Sequence, residues 1–136
     1  MAGFRYLLDT NILSHLIRQP QGQVRAHLDR VGEDTLCTSV IVACELRYGA
    51  QRSGSERIGA RVDALLQILP VLPLEPEVAE HYADIRTHLE SKGTPIGHND
   101  LLIAAHARHL KLVMVTHNVR EFRRVPGLPV ENWIGE

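Results

Sequence analysis

The sequence predicts an α/β fold of three layers, α/β/α, with a mainly parallel central sheet flanked by helices. Three observations lead there. Apolar runs of strand length alternate along the chain with longer stretches whose apolar residues recur at helical spacing, the pattern of strands joined by crossover helices. The runs are near-continuously apolar, as expected for strands covered on both faces. The 136 residues, 44% hydrophobic and 23% charged, suit one globular domain spanning 1–136.

Residues 4–8 form the first apolar run and end at Asp9-Thr10-Asn11, which reads as a buried strand closing in a polar turn. Ile12, Leu13, Leu16 and Ile17 then recur at helical spacing, and after Pro20 a second helix carries Val24, Leu28 and Val31 until Gly32. Residues 36–38 read as a strand, with Ser39 capping a helix that runs through Ile41, Glu45 and Tyr48 toward Arg52. Another helix covers 55–69 on the spacing of Ile58, Val62, Leu65, Leu66 and Leu69, and 71–74 between two prolines is a strand. A helix from near Pro76 carries Val78, Tyr82, Ile85 and Leu89 to Lys92-Gly93. The loop 94–99 leads to Asp100 at the start of an alanine-rich helix. Residues 112–115 are a strand, 119–123 one helical turn, and 130–133 a last short strand.

The charge balance, 15 Lys+Arg against 16 Asp+Glu, lacks the basic excess of many nucleic-acid binders. That counts mildly against an RNA substrate, although acids at a metal site offset basic residues elsewhere and a total does not reveal arginines clustered beside such a site. Two cysteines, Cys37 and Cys44, are too few for a disulfide framework and are spaced wrongly for zinc, so both are expected as buried free thiols. No signal peptide or membrane span is read in the sequence, and a cytoplasmic location is expected.

Three carboxylates stand where chemistry is expected. Asp9 follows the first strand, and open parallel sheets bind ligands beyond the carboxyl ends of their strands. Glu45 interrupts an apolar stretch of helix. A buried carboxylate without a partner costs on the order of several kcal/mol, so Glu45 requires a metal ion or an arginine, Arg47 or Arg5. Gly49, one turn on, leaves space beside it. Asp100 opens a helix, where the N-terminus favours an anion. Helix capping is the alternative for Asp9 and Asp100 taken singly. Together, all-oxygen ligands of this kind suit magnesium or manganese and do not suit zinc. Two such ions roughly 3.5 to 4 Å apart can activate a water and stabilise a leaving oxygen, which makes phosphodiester hydrolysis the natural chemistry.

The stretches Leu8-Asp9-Thr10-Asn11, Glu45-Leu46-Arg47-Tyr48-Gly49 and Gly97-His98-Asn99-Asp100-Leu101-Leu102-Ile103-Ala104-Ala105-His106-Ala107 resemble the motifs of PIN-domain ribonucleases of the VapC toxin type. The closing Val115-Thr116-His117-Asn118-Val119-Arg120-Glu121-Phe122 and Glu131-Asn132-Trp133 are similar to that family's C-terminal pattern, so the resemblance spans nearly the whole chain. It implies a PIN fold, an endoribonuclease that needs Mg2+ or Mn2+, a homodimer, and a VapB-type antitoxin that reaches the active site in a higher assembly. It also implies RNA as substrate, tRNA cut in the anticodon loop among the choices, with inhibition of translation as the result.

Carried over residue by residue, Asp9, Glu45 and Asp100 match the family's metal-binding acids, and Thr116 and Asn118 match positions beside the site. Many PIN domains have a fourth acid where Asn118 stands here, which bears on a second metal ion; Glu121 is close enough in sequence to supply that carboxylate. Thr10, Asn11, Ser39 and Thr116 are candidates to orient ligands or waters, with capping and turn formation as the alternatives. Arg47, Arg52, Arg120, Arg123 and Arg124 are candidates to grip an RNA backbone. His98, His106 and His109 are not expected in the site.

Two other functions compete. An aspartyl phosphatase would use Asp9 as nucleophile, but such enzymes want a second Asp two residues on, where this chain has Asn11. A catalytically inactive PIN-like module would bind antitoxin and nucleic acid without cutting. The intact acid trio argues against it.

Overall fold

The computed structural model describes residues 3–135. Five strands form one sheet: β1 (Tyr6–Leu8), β2 (Leu36–Ser39), β3 (Val71–Leu72), β4 (Val113–Val115) and β5 (Val130–Glu131). All neighbouring pairs are parallel, in the order β3-β2-β1-β4-β5. Seven α-helices connect them among the described residues: α1 (Thr10–Arg18), α2 (Gln23–Val31), α3 (Val40–Ser53), α4 (Glu56–Ile68), α5 (Val78–Ser91), α6 (His98–Leu110) and α7 (Val119–Phe122). The expected fold class is thus the observed one, and the strands are parallel without exception.

The order of the strands fixes where a ligand can sit. From β1 the chain winds outward to β2 and β3, then returns across the sheet and lays β4 on the other side of β1. Successive crossovers therefore diverge between β1 and β4, and the splayed loops leave a crevice at the carboxyl ends of those two strands. Tyr6, Leu7 and Leu8 pair with Val113, Met114 and Val115. This register brings Asp9 and Thr116, one step beyond each strand, side by side.

Burial explains why the central strands read as unbroken apolar runs. Leu7, Leu8, Cys37, Met114 and Val115 have no exposed surface, and one continuous core extends from Tyr6 to Trp133. The buried Cys37 thiol is pushed up to about 12 by burial and is inert. Cys44, expected to be buried, is exposed on α3, where its side of the helix faces away from the core. The last strand ends sooner than the sequence predicts. Trp133 lies outside it as an anchor, its ring 5.3 Å from that of His27 and stacked on it, and 5.2 Å from Tyr6. No helix among the described residues is long and apolar enough to cross a membrane.

Candidate active site

Asp9 leaves β1 with its backbone N–H donating to the Val115 carbonyl at 2.9 Å, so its position is set by the sheet itself. Its side chain caps α1, Oδ1 accepting from the Thr10 N–H at 2.8 Å. Its other oxygen accepts from the Thr116 hydroxyl at 2.7 Å, and Thr116 in turn accepts from the Asn118 N–H at 3.0 Å. Capping and a place in the crevice, alternatives in the sequence, are filled here by one carboxylate with two oxygens.

Glu45 stands on α3 because Ser39 starts that helix at the carboxyl end of β2, its hydroxyl accepting from the Ile41 N–H at 3.1 Å. One Glu45 oxygen accepts a hydrogen bond from the Thr10 hydroxyl, and the other accepts from the Asn99 amide at 3.2 Å. The expected arginine partners are elsewhere. Arg47 pairs with Asp63 at 2.7 Å, and Arg5 lies over the Tyr6 ring at 5.3 Å. Among the described residues Glu45 thus has neutral donors and no cation.

Asp100, in the first turn of α6, completes the group. The Asn118 amide bridges two acids, donating to Glu121 at 2.6 Å and, at 3.4 Å, to Asp100. The amide thus offers donors to two neighbouring carboxyls whose charges would otherwise repel. Asn11 acts away from the acids, its side-chain oxygen accepting from the His117 N–H at 3.0 Å and clasping the turn after β4 to α1.

Asp9, Thr10, Asn11, Glu45, Asp100 and Asn118 line one open cleft of about 400 Å³. Thr116 lies fully buried beneath it, and Glu121 reaches the group through Asn118. Ser14 and Arg18 also line the cleft, and Asn99 bonds to Glu45, although the sequence motifs single out none of the three for the site. A signal is present for two of them: Thr10, Ser14 and Arg18 follow one another at four-residue steps, a single stripe of α1. None of the five expected RNA-gripping arginines lines the cleft.

The electrostatics are those of a site short of positive charge. Burial raises the pKa of Asp9, opposed by the hydrogen bonds from Thr116 and Thr10, with the Glu45 charge adding to the rise. Asp100 is raised to about 7, first by burial, then by the hydrogen bond it can make to Glu121 and by the charges of Asp9, Glu121 and Glu45. Among the described residues, no three His, Cys, Asp or Glu side chains form a group that could hold a metal ion as they stand. Each acid is instead held by neutral hydroxyls and amides. Asp9 and Asp100 resist ionisation, Glu45 shares their cleft, and among the described residues no arginine or lysine is bonded to any of the three, a donor chemistry of oxygens alone that suits a hard divalent cation once the side chains close on it.

The histidines stand apart from this group. His106 is buried, its Nδ1 2.9 Å from the Ser39 hydroxyl, His109 pairs with Glu75 at 3.3 Å, and His98 is exposed.

Fold and site together define an α/β protein with a carboxylate cleft at the switch point of a parallel sheet. The model of the PIN domain matches residues 6–128, and the chain belongs to that family. It is 38% identical over 131 residues to the "Ribonuclease VapC2" of Haemophilus influenzae, covering 96% of this chain and 98% of that protein. Identity to the "tRNA(fMet)-specific endonuclease VapC" of Salmonella typhimurium is also 38%, over 130 residues, covering 95% and 98%. In structure the chain is similar to VapBC2 from Rickettsia felis bound to a DNA fragment from its promoter, with a TM-score of 0.90 and 36% identity over 96% of this chain and 100% of the other.

Proposed function

We propose that this chain is the toxin of a VapBC-type toxin–antitoxin pair, a single-domain endoribonuclease in which Asp9, Glu45 and Asp100 hold magnesium or manganese. One observation carries the reading: three carboxylates from three separate segments line one cleft at the sheet's switch point, with neutral donors on each and, among the described residues, no cation paired to any. The relatives' names supply the substrate class and the partner. A VapB-type antitoxin occupies this toxin outside its active periods, the substrate is RNA with tRNA the first choice, and the working form is a cytoplasmic homodimer that joins the antitoxin in a larger assembly.

Bound among these acids, a hard cation supplies Lewis acidity, lowering the pKa of an attacking water and offsetting charge on the pentacoordinate phosphorus. The chain's own residues set the conditions for that chemistry. Thr116 donates to Asp9 and so favours its ionised form against the burial that opposes it. Thr10 and Asn99 fix both oxygens of Glu45, which holds a flexible side chain at the cleft wall. Asn118 donates to both Asp100 and Glu121 and so ties the two acids together beside the cleft. Asp100 holds a proton below about pH 7, so the cleft gains its full negative charge only above that point.

The test is to incubate the purified chain, freed of antitoxin, with total cellular RNA and magnesium or manganese, and to map new RNA ends by sequencing. Discrete cuts that vanish with EDTA and with Asp100→Asn are expected. A folded protein that cuts no RNA with either metal, or that hydrolyses small phosphomonoesters and spares RNA, overturns the reading.

A further inference from the structure

The cleft does not end at the acids. A second hollow of about 290 Å³ adjoins it, lined by Ile17, Leu46, Gly49, Ala50, Ile58 and Val62, and the two share Thr10, Ser14, Arg18 and Glu45. A continuous groove therefore runs from the carboxylates along α1, polar at the acid end and apolar beyond. Two of its features have no part in holding the acids.

The first is Arg18. It lines both hollows, is exposed, and makes no ion pair among the described residues although three acids line the same groove. Two arginines on the helices that flank the groove are committed: Arg47 to Asp63 and Arg61 to the Ile17 carbonyl. The Arg61 bond holds the last turn of α1 against α4, so the backbone that carries Arg18 is fixed while its guanidinium is unengaged. The second is Gly49. Glycine inside a helix is destabilising relative to alanine, and a Cβ at Gly49 would meet nothing within 4 Å. No described part of this chain needs the space it leaves.

We propose that Arg18 grips a phosphate of the RNA other than the one being cut, and that the trough beside Gly49 seats the sugar and base of that stretch. The inference rests on the ribonuclease reading above. Arg18 stands two turns beyond Thr10, about 12 Å along the axis of α1 at 1.5 Å per residue. With its backbone that far along α1, a guanidinium turned toward the apolar trough meets a phosphate other than the one at the acids, which makes Arg18 a substrate-binding residue. A planar guanidinium with free donors matches the oxygens of a phosphodiester, and the aliphatic lining accepts a nucleoside without reading its edges. The unpaired cation and the continuity with the carboxylates favour RNA over an apolar peptide segment as occupant.

Binding tests this independently of cleavage. In full-length protein carrying Asp9→Asn, the affinity for fluorescein-labelled bulk tRNA is measured by anisotropy over a range of salt. Adding Arg18→Ala weakens binding roughly tenfold or more, the worth of a charge-assisted hydrogen bond. It also lowers the slope of log affinity against log salt by about 0.7, the loss of one phosphate contact on a single strand. Arg18→Lys restores part of the affinity and the slope. Gly49→Leu, which suits a helix better than glycine, weakens tRNA binding without lowering Tm. With Asp9 intact, Arg18→Ala raises KM for tRNA cleavage and leaves kcat unchanged. Unaltered affinity and salt slope in Arg18→Ala overturn the proposal while leaving the ribonuclease reading intact. If Arg18→Ala and Gly49→Leu bind tRNA as the parent does and fail only to assemble with the antitoxin, the groove is a protein-docking surface and the proposal is overturned.

Discussion

At the carboxyl ends of its strands the protein buries oxygen, and at the amino ends it buries carbon. Asp9, Thr38, Ser39 and Thr116 are all buried at the first edge, and each has its partner: the Thr38 hydroxyl, for example, donates to the Leu8 carbonyl at 2.7 Å. The opposite edge has a hollow of about 430 Å³, slightly larger than the acid cleft, but its lining is Phe4, Leu28, Leu36, Leu65, Ile68, Leu69 and Pro70, with Glu33 and Asp34. The difference teaches that size does not mark the site. Convergent polar atoms whose ionisation the fold opposes do, because such an arrangement is stable only when something supplies the missing charge.

Substitutions at the two edges test that contrast. The largest effect is expected from Asp9→Asn, which removes RNA cleavage by more than the about 10–100-fold typical of residues that merely support a ligand. The same change raises the Tm of the metal-free protein, because the fold opposes the Asp9 charge, and thermal melts with and without magnesium separate the two effects. Thr116→Val follows, lowering metal affinity or cleavage by about 10–100-fold through the lost hydrogen bond to Asp9.

Acidity gives the third test. At sub-saturating magnesium, apparent metal affinity falls by up to about tenfold per pH unit below the Asp100 value of about 7, because the ligand must give up its proton to bind the cation. Stability moves the other way. An acid whose pKa is raised by folding binds its proton more tightly in the folded state, so the metal-free protein loses stability as pH rises from near 3.8 to about 7. Melting curves across that range check the sign. A smaller, several-fold gain in metal affinity is expected for Asn118→Asp, read by isothermal titration, because a third carboxylate would stand with Asp100 and Glu121. The opposite edge should be silent in catalysis: Leu69→Ala costs about 2–5 kcal/mol of stability and leaves kcat of the folded protein unchanged. Loss of cleavage in well-folded Leu69→Ala protein would break the comparison between the edges.

Much of this is legible in the sequence, for a physical reason. Strands buried on both faces must be apolar throughout, so β1, β2 and β4 announce themselves, and Asp9 stands out because it ends such a run. Glu45 and Asp100 stand out for the same reason against Ile41, Val42 and Ala43 on one side and Leu101, Ile103 and Ala104 on the other. Which donor each acid finds is not legible. The Thr10–Glu45 and Asn99–Glu45 bonds join residues 35 and 54 positions apart, and no local pattern encodes such pairings. Arg18 lies outside every motif. Its membership in the cleft follows from the helical stripe with Thr10 and Ser14, which gains meaning only once α1 is known to face the acids. Nearness to a motif along the chain is a poor guide for arginines, whose long side chains reach other partners: Arg47 and Arg124 are engaged elsewhere.

The hydrogen bond between Thr116 and Asp9 spans 107 positions of the chain. Asp9 therefore leaves a ribosome 107 residues ahead of the threonine that steadies it, and Asn118 follows later still. No fragment that ends before β4 contains the site, whatever helices it has already formed. A protein that cuts RNA is thus without its assembled acid cleft until the strand that completes it has been translated.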